Sequence, residues 1–228
     1  MESVQPNFQS FDLLQWTSSV TAEAFTAAAN PRRVAAGSLI YQQGDPGPEM
    51  FRIVEGAVRV SVSRDDGREI IFLFFSAGDC FGVSGLIDGE AMPQTAEAIS
   101  PTVLQVISAP AFTRLREDHR DFDNALLRLL ALQMRFISTH FIEASLSSLA
   151  SRVCARLIEY ARPAPGEAAS VRISQNELAA AVGGSRQRVN RVLRQLQAEG
   201  LITTDYGAIR IIDPRGLRHF YHKTPSHR

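Results

Sequence analysis

The chain has 228 residues, 45% of them hydrophobic, with 24 basic and 24 acidic side chains and a formal net charge of zero. That length allows one large domain or two small ones, and the composition is ordinary for a globular protein. No apolar run approaches a bilayer span, no secretory signal is read at the N-terminus, and the two cysteines, Cys80 and Cys154, form no metal motif. The expectation is a cytoplasmic protein with no membrane partner, no structural zinc and no iron–sulfur cluster. The neutral total hides an asymmetry. Residues 1–144 hold 11 Lys or Arg against 18 Asp or Glu, a net of −7, while residues 145–228 hold 13 against 6, a net of +7. The second half alone would be drawn to phosphate.

Between residues 32 and 110, short β-rich runs alternate with glycine turns: Leu39–Tyr41, Met50–Val54, Ala57–Ser63, Ile70–Phe75, Gln94–Ile99 and Thr102–Ile107. Many short strands at regular spacing predict a jelly roll. Val58, Val60 and Val62 alternate on one face, and Asp65–Asp66–Gly67 reads as a hairpin turn. The run Ile70–Phe75 is too apolar for a solvated edge and is expected to be buried or covered by a helix. Within Phe81–Gly89, Gly82 and Gly85 bracket Val83 and Ser84, followed by Leu86. Such a turn can hold an anion or small ligand on its backbone N–H groups, or simply pass tightly over the roll.

A short helix is predicted over Ala111–Arg116 and a long one over Asp121–Ala144. Phe122, Leu126, Leu130, Gln133, Ile137, His140 or Phe141, and Ala144 recur at spacings of three and four. Leu127, Leu129, Leu132, Met134 and Phe136 widen the apolar surface beyond one contact face. One side is expected to cover the roll and the other to meet a second copy in a parallel coiled coil, the competing reading being a helix buried inside one large domain. Ser145–Leu146–Ser147–Ser148 reads as a hinge, Leu149–Tyr160 as a further helix, and Pro163–Ala164–Pro165–Gly166 as an exposed loop.

The run from Ser174 to Ile202 has the pattern of a helix-turn-helix. Ser174 and Glu177 make a capping box, with Gln175 opening the first helix, and Leu178, Ala181 and Val182 supply its inner face. Gly183–Gly184 turns the chain and Ser185 caps the second helix. That helix carries Arg186, Gln187, Arg188, Asn190 and Arg191 in front of a stripe of Val189, Val192, Leu193 and Leu196. Arg suits the O6 and N7 of guanine, and Gln the N6 and N7 of adenine. Arg186 and Gln187 are therefore assigned to base edges, Asn190 and Arg191 to a further base or phosphate, and Arg188 to the backbone. Leu201–Thr204 and Ile209–Ile212 around Asp205–Tyr206–Gly207 read as a hairpin wing, with Thr203 and Thr204 as phosphate donors. The tail beyond Pro214, with His219, His222 and His227, is read as frayed and basic rather than as a metal site.

On the run GGSRQRVNRVLRQLQAEGLI, and on Gly44–Asp45, Val54–Glu55–Gly56, Gly78–Asp79–Cys80–Phe81–Gly82 and Gly85, the chain resembles the cyclic-AMP receptor protein and FNR family of bacterial transcription regulators from about residue 30 to 213. The resemblance implies an α+β chain: an N-terminal double-stranded β-helix in residues 1–120, a dimerisation helix in 121–145 and a C-terminal winged helix-turn-helix in 146–228. It implies a homodimer on a roughly palindromic double-stranded DNA operator, with RNA polymerase as a further candidate partner. Arg186 and Arg191 match base-reading arginines, while Gln187 stands where a glutamate is common. The effector site it implies is Gly82, Val83, Ser84, Gly85, Leu86, Gln94 and Thr95, with Ser138 and Thr139 from the long helix.

The phosphate cassette of the cyclic-AMP binders, Gly-Glu-x-(Gly/Ala/Ser) and a later Arg–Ser or Arg–Thr, is here Gly82–Val83–Ser84–Gly85 and Gln94–Thr95. Losing the charge-assisted contact costs about 1.5–3 kcal/mol. The expected effector is a small molecule other than cyclic AMP. The cofactor stays open, with His119 and His140 available to a haem. No catalytic constellation is read. The other readings are an effector-independent regulator with the roll as scaffold, and a ligand-binding or interaction module that does not bind DNA.

Overall fold

A computed structural model describes residues 10–64, 69–164, 167–205 and 207–223. They fall into two compact units, Ser10–Ile137 and the residues from Ser138 onward.

The first unit opens with a 3-10 turn, Leu13–Trp16, and α1, Ser19–Ala28, capped by Asp12 and Ser18 respectively. Eight strands follow: β1 (Asn30–Val34), β2 (Leu39–Tyr41), β3 (Glu49–Glu55), β4 (Ala57–Ser63), β5 (Glu69–Ser76), β6 (Cys80–Phe81), β7 (Thr95–Ala98) and β8 (Thr102–Ser108). They form two antiparallel four-stranded sheets, ordered β1-β8-β3-β6 and β2-β7-β4-β5, as a jelly roll requires. A short helix, α2 (Ser84–Asp88), interrupts the strands after β6. Next come α3 (Ala109–Asp118) and the 27-residue α4 (Arg120–Leu146).

Two strand expectations need correction. A register shift between Val60 and Ser61 breaks the alternation of β4, so Val58, Val60 and Ser61 are buried while Val62 is only half-buried. β5 is the edge of its sheet rather than an enclosed strand, and Ile70 is 51% exposed. Its far end is nevertheless covered, because Phe75 packs edge-on against Phe11, which packs the same way against Phe136 of α4. The hairpin turn at 65–67 lies outside the described residues.

Asp79 locks the N-terminal segment onto the roll. Its buried carboxylate accepts from Phe11 N at 2.7 Å and from Ser76 N at 2.8 Å. Beside it, Arg52 of β3 holds Asp12 at 2.9 Å.

α4 presents two apolar faces. Phe122, Ala125, Leu126, Leu129 and Phe136 belong to the buried core of the roll. Leu127, Met134 and Phe141 are 66%, 67% and 71% exposed and stand seven residues apart. By length and mean hydropathy α4 would also suffice to cross a bilayer. Its inner face is already taken by the roll, and Arg128, Arg135 and Glu143 interrupt the rest.

In the second unit α4 ends at Leu146, two residues later than expected, and Ser148 caps α5 (Leu149–Tyr160). The break between the helices is thus Ser147–Ser148, shorter than the four-residue hinge read from the serines. β9 (Arg162–Ala164) and β10 (Glu167–Arg172) follow, then α6 (Gln175–Val182), α7 (Arg186–Ala198), β11 (Ile202–Asp205), β12 (Ala208–Ile211) and α8 (Pro214–Lys223). The strands order as β11-β12-β10-β9. Pro163 and Ala164 therefore sit in a strand, not a loop. The strand lies at the sheet edge, where a missing N–H donor is tolerated. Residues 214–223 of the tail form a helix rather than fraying. Asp213 accepts from Arg215 N and Gly216 N, Pro214 opens α8, and Leu217 is fully buried. His219 lies on this helix, and His227 lies outside the described residues.

Candidate DNA-reading face and effector cavity

Ser174 and Glu177 complete the capping box at the start of α6, with Ser174 Oγ accepting from Glu177 N at 3.1 Å and the Glu177 carboxylate accepting from Ser174 N at 2.8 Å. Gln175 is exposed on the first turn. Gly183 ends the helix at φ +62°, a left-handed turn that a side chain would strain. Ser185 then caps α7, its hydroxyl accepting from Arg188 N at 3.4 Å. Both serines are thus spent first on helix starts.

α7 divides sharply by burial. Val189, Leu193 and Leu196 are buried, while Arg186, Gln187, Arg188 and Arg191 are exposed and Asn190 is half-buried. Four long polar side chains are therefore exposed around the N-terminal half of α7, where backbone N–H groups also favour anions. On the wing, Thr203 is exposed and Thr204 is half-buried, its hydroxyl accepting from Gln197 Nε2 at 2.9 Å. Tyr206 at the wing tip lies outside the described residues.

Sequence reasoning missed the residue that braces this head. Arg152 of α5 donates from Nη1 to Ser147 O at 2.8 Å and from Nε to Val182 O at 2.9 Å. One guanidinium thus ties the end of α4 to the last residue of α6, where the helix-turn-helix bends. Burial, and then the neighbouring charge of Arg188, pulls its pKa down from the usual arginine value. One turn further along α5, Arg156 is 4% exposed and pairs with Glu143 and Glu159. Tyr221 donates to Glu143 at 3.3 Å, and His140 lies 3.3 Å from Glu159. An arginine at i and i+4 facing a helix end is the signal available in the sequence.

The first unit holds a cavity of about 100 Å³. Its lining includes Gly82, Val83, Ser84 and Gln94 of the expected effector residues. Gly85, Leu86, Thr95, Ser138 and Thr139 do not line it. Gly85 has a packing role, since a Cβ there would stand 2.7 Å from Gly47 Cα. Thr95 accepts from Gln43 N at 3.0 Å. Ser138 and Thr139 belong to the second unit. The remaining walls, not anticipated, come from Tyr41, Phe72, Phe75, Phe81, Met92, Gln133, Phe136 and their neighbours. Phe81 stacks on Phe75 and on Phe51, with ring centroids 5.3 Å and 5.1 Å apart. The aromatic density of Phe72–Phe75 was the legible hint. His119 does not line the cavity and instead meets Thr21 Oγ1 at 3.3 Å, and His140 belongs to the second unit. Cys80 is fully buried, which pushes its thiol up to about 12 and keeps it protonated.

Residues 31–119 match the cyclic nucleotide-binding domain and residues 151–220 the Crp-like helix-turn-helix domain. The transcriptional regulator LdrP of Thermus thermophilus is 32% identical over 191 residues, spanning 82% of this chain and 94% of that protein. A CRP-like cAMP-activated global transcriptional regulator of Mycobacterium tuberculosis is 26% identical over 201 residues, 85% and 89% of the two chains. The crystal structure of a CRP-family transcriptional regulator from Thermus thermophilus superposes with a TM-score of 0.72 at 28% identity, covering 86% and 98%. The chain belongs to the CRP/FNR family of transcription regulators, and its second unit carries that family's DNA-binding helix-turn-helix.

Proposed function

We propose that this protein is a homodimeric regulator that reads a roughly palindromic operator and answers to a small effector other than cyclic AMP. The observation that carries the DNA-reading part is the split of α7, with Arg186, Gln187, Arg188 and Arg191 exposed over a buried aliphatic stripe. Ser174, Gln175, Ser185 and Asn190 are assigned to the same DNA contact, and Thr203 and Thr204 to phosphates beside the wing. Dimerisation is supported by α4. Leu127, Leu130, Met134, Ile137, Phe141 and Ala144 alternate at three and four residues, the spacing of a coiled-coil seam, and most of them are exposed. In this reading residues 1–120 sense, 121–145 dimerise and 146–228 bind DNA.

Two observations support effector control. The cavity is far larger than the roughly 10–15 Å³ that admits one water. Val83 and Gln94 stand where the cyclic-AMP cassette has a glutamate and an arginine. The relative from Mycobacterium tuberculosis is named for activation by cyclic AMP. Here the lining contains no charged side chain among the described residues. Effector binding would shift a population between two arrangements of α4 and α5 about Ser147–Ser148, and so the spacing of the paired reading helices.

Selection of bound fragments from a random DNA pool, with and without cell extract, tests both parts. Enrichment of a two-fold symmetric site, altered by the small-molecule fraction of the extract and not by cyclic AMP, is the expected result. No enriched site, or a site whose recovery depends on cyclic AMP, overturns the proposal.

A further inference from the structure

The cavity of the roll specifies the chemistry of its ligand more narrowly than the absence of a phosphate cassette does. Its walls are aliphatic and aromatic, with the stacked Phe75 and Phe81 and with Phe136 of α4 among them. Four residues with polar side chains also line it: Tyr41, Ser84, Gln94 and Gln133. All four are half-buried, and none of them has a side-chain hydrogen-bond partner among the described residues. Polar ends left open around an apolar cavity are the usual means of orienting a small ligand. Left unmatched by a ligand or water, they would carry a desolvation cost.

Among the described residues, no Asp, Glu, Lys, Arg or His lines the space. The arginine on β4, Arg59, is held by Glu97 at 2.8 Å and Glu69 at 3.7 Å, and is not part of the lining. Burial raises the pKa of the Tyr41 phenol, so that it enters only as a neutral donor and acceptor. An anion placed here would lose its hydration with no cation in return. A neutral ring loses little water, can add to the aromatic stack, and can satisfy amide and hydroxyl ends.

We propose that the cavity takes an uncharged, largely apolar small molecule with a ring and at least one hydroxyl, carbonyl or amide group. The proposal rests on the regulator reading above and names the class of effector for it.

Matched probes on the full chain test it: benzyl alcohol with benzoate, 1-naphthol with 1-naphthoate, and cyclic AMP. Binding is read from the methyl resonances of Met92 and Val60, both buried in the unit and both lining the cavity. The neutral member of each pair is expected to shift these signals and to bind about tenfold or more tightly than its anion, while cyclic AMP leaves them unmoved. Filling the space with Gln133→Phe should abolish the shifts, and Gln94→Arg should move the preference towards the anion. Equal or tighter binding of benzoate, 1-naphthoate or cyclic AMP to the unaltered protein overturns the proposal, as does silence from both neutral probes. Retention of the shifts in Gln133→Phe does the same. Operator binding is measured on the same samples. A protein that holds its selected DNA but ignores neutral probes loses only the ligand class, whereas one that binds no DNA loses the regulator reading whatever the probes do.

Discussion

Gln187 occupies an exposed position on the first turn of α7, and its amide can both donate and accept. A carboxylate there could only accept, which suits the N4 amine of cytosine. Gln187→Glu is therefore expected to change the preferred base at one position of each half-site from adenine to cytosine, read by repeating the DNA selection. Arg186→Ala should cost about 1–3 kcal/mol of specific binding and relax one position. Two acids make separate predictions for stability. Asp79→Ala leaves Phe11 N–H and Ser76 N–H without their buried acceptor and should lower unfolding free energy by about 1–3 kcal/mol, measured by urea titration. Asp121 accepts from Ser18 N at 2.7 Å and Thr21 Oγ1 at 2.7 Å, bonds that lower its pKa to about 2. A depressed carboxyl stabilises the fold above its unfolded pKa of about 4 and loses that contribution as the pH falls towards its folded value. The urea midpoints of the wild type and Asp121→Asn should differ above that range and converge near the folded pKa of about 2.

At the scale of elements, α4 and α5 set how the reading head is held. Arg152 joins Ser147 O to Val182 O, so its loss should weaken the brace between the end of α4 and the turn after α6. Arg152→Met is expected to reduce operator affinity more than affinity for random DNA, with Arg152→Lys partly restoring the difference. A variant that loses both affinities equally would mark Arg152 as a folding residue only. Met134→Glu with Phe141→Glu places charges on the exposed stripe of α4 and should convert a dimer to a monomer in sedimentation, with the roll still folded. The capping box, the turn at Gly183 and the amphipathic stripe of α7 were all legible in the sequence because each depends on residues within a few positions of one another. α8 is not legible in the same way, although Asp213–Pro214 marks its start. What stabilises it is Leu217 buried in the unit and Tyr221 reaching Glu143, contacts far away in the chain.

For the whole molecule, the −7 and +7 halves place the affinity for phosphate in residues 145–228. A paired reading head needs half-sites about one DNA turn apart, roughly 34 Å, and the selected operators should show that spacing. The sequence by itself determined the roll, the long helix and the winged reading head, because strand alternation, helical spacing, caps and glycine turns are local and repeat often. Only the tertiary structure decided which apolar face of α4 the roll consumes, that Gly85 is a packing contact, and that Arg152 bridges two helix ends. It also decided that Tyr41, Ser84, Gln94 and Gln133 line one cavity. Those side chains are up to 92 positions apart in the chain, from Tyr41 to Gln133. No local pattern encodes their meeting; it follows from how two sheets and a helix close around a shared core.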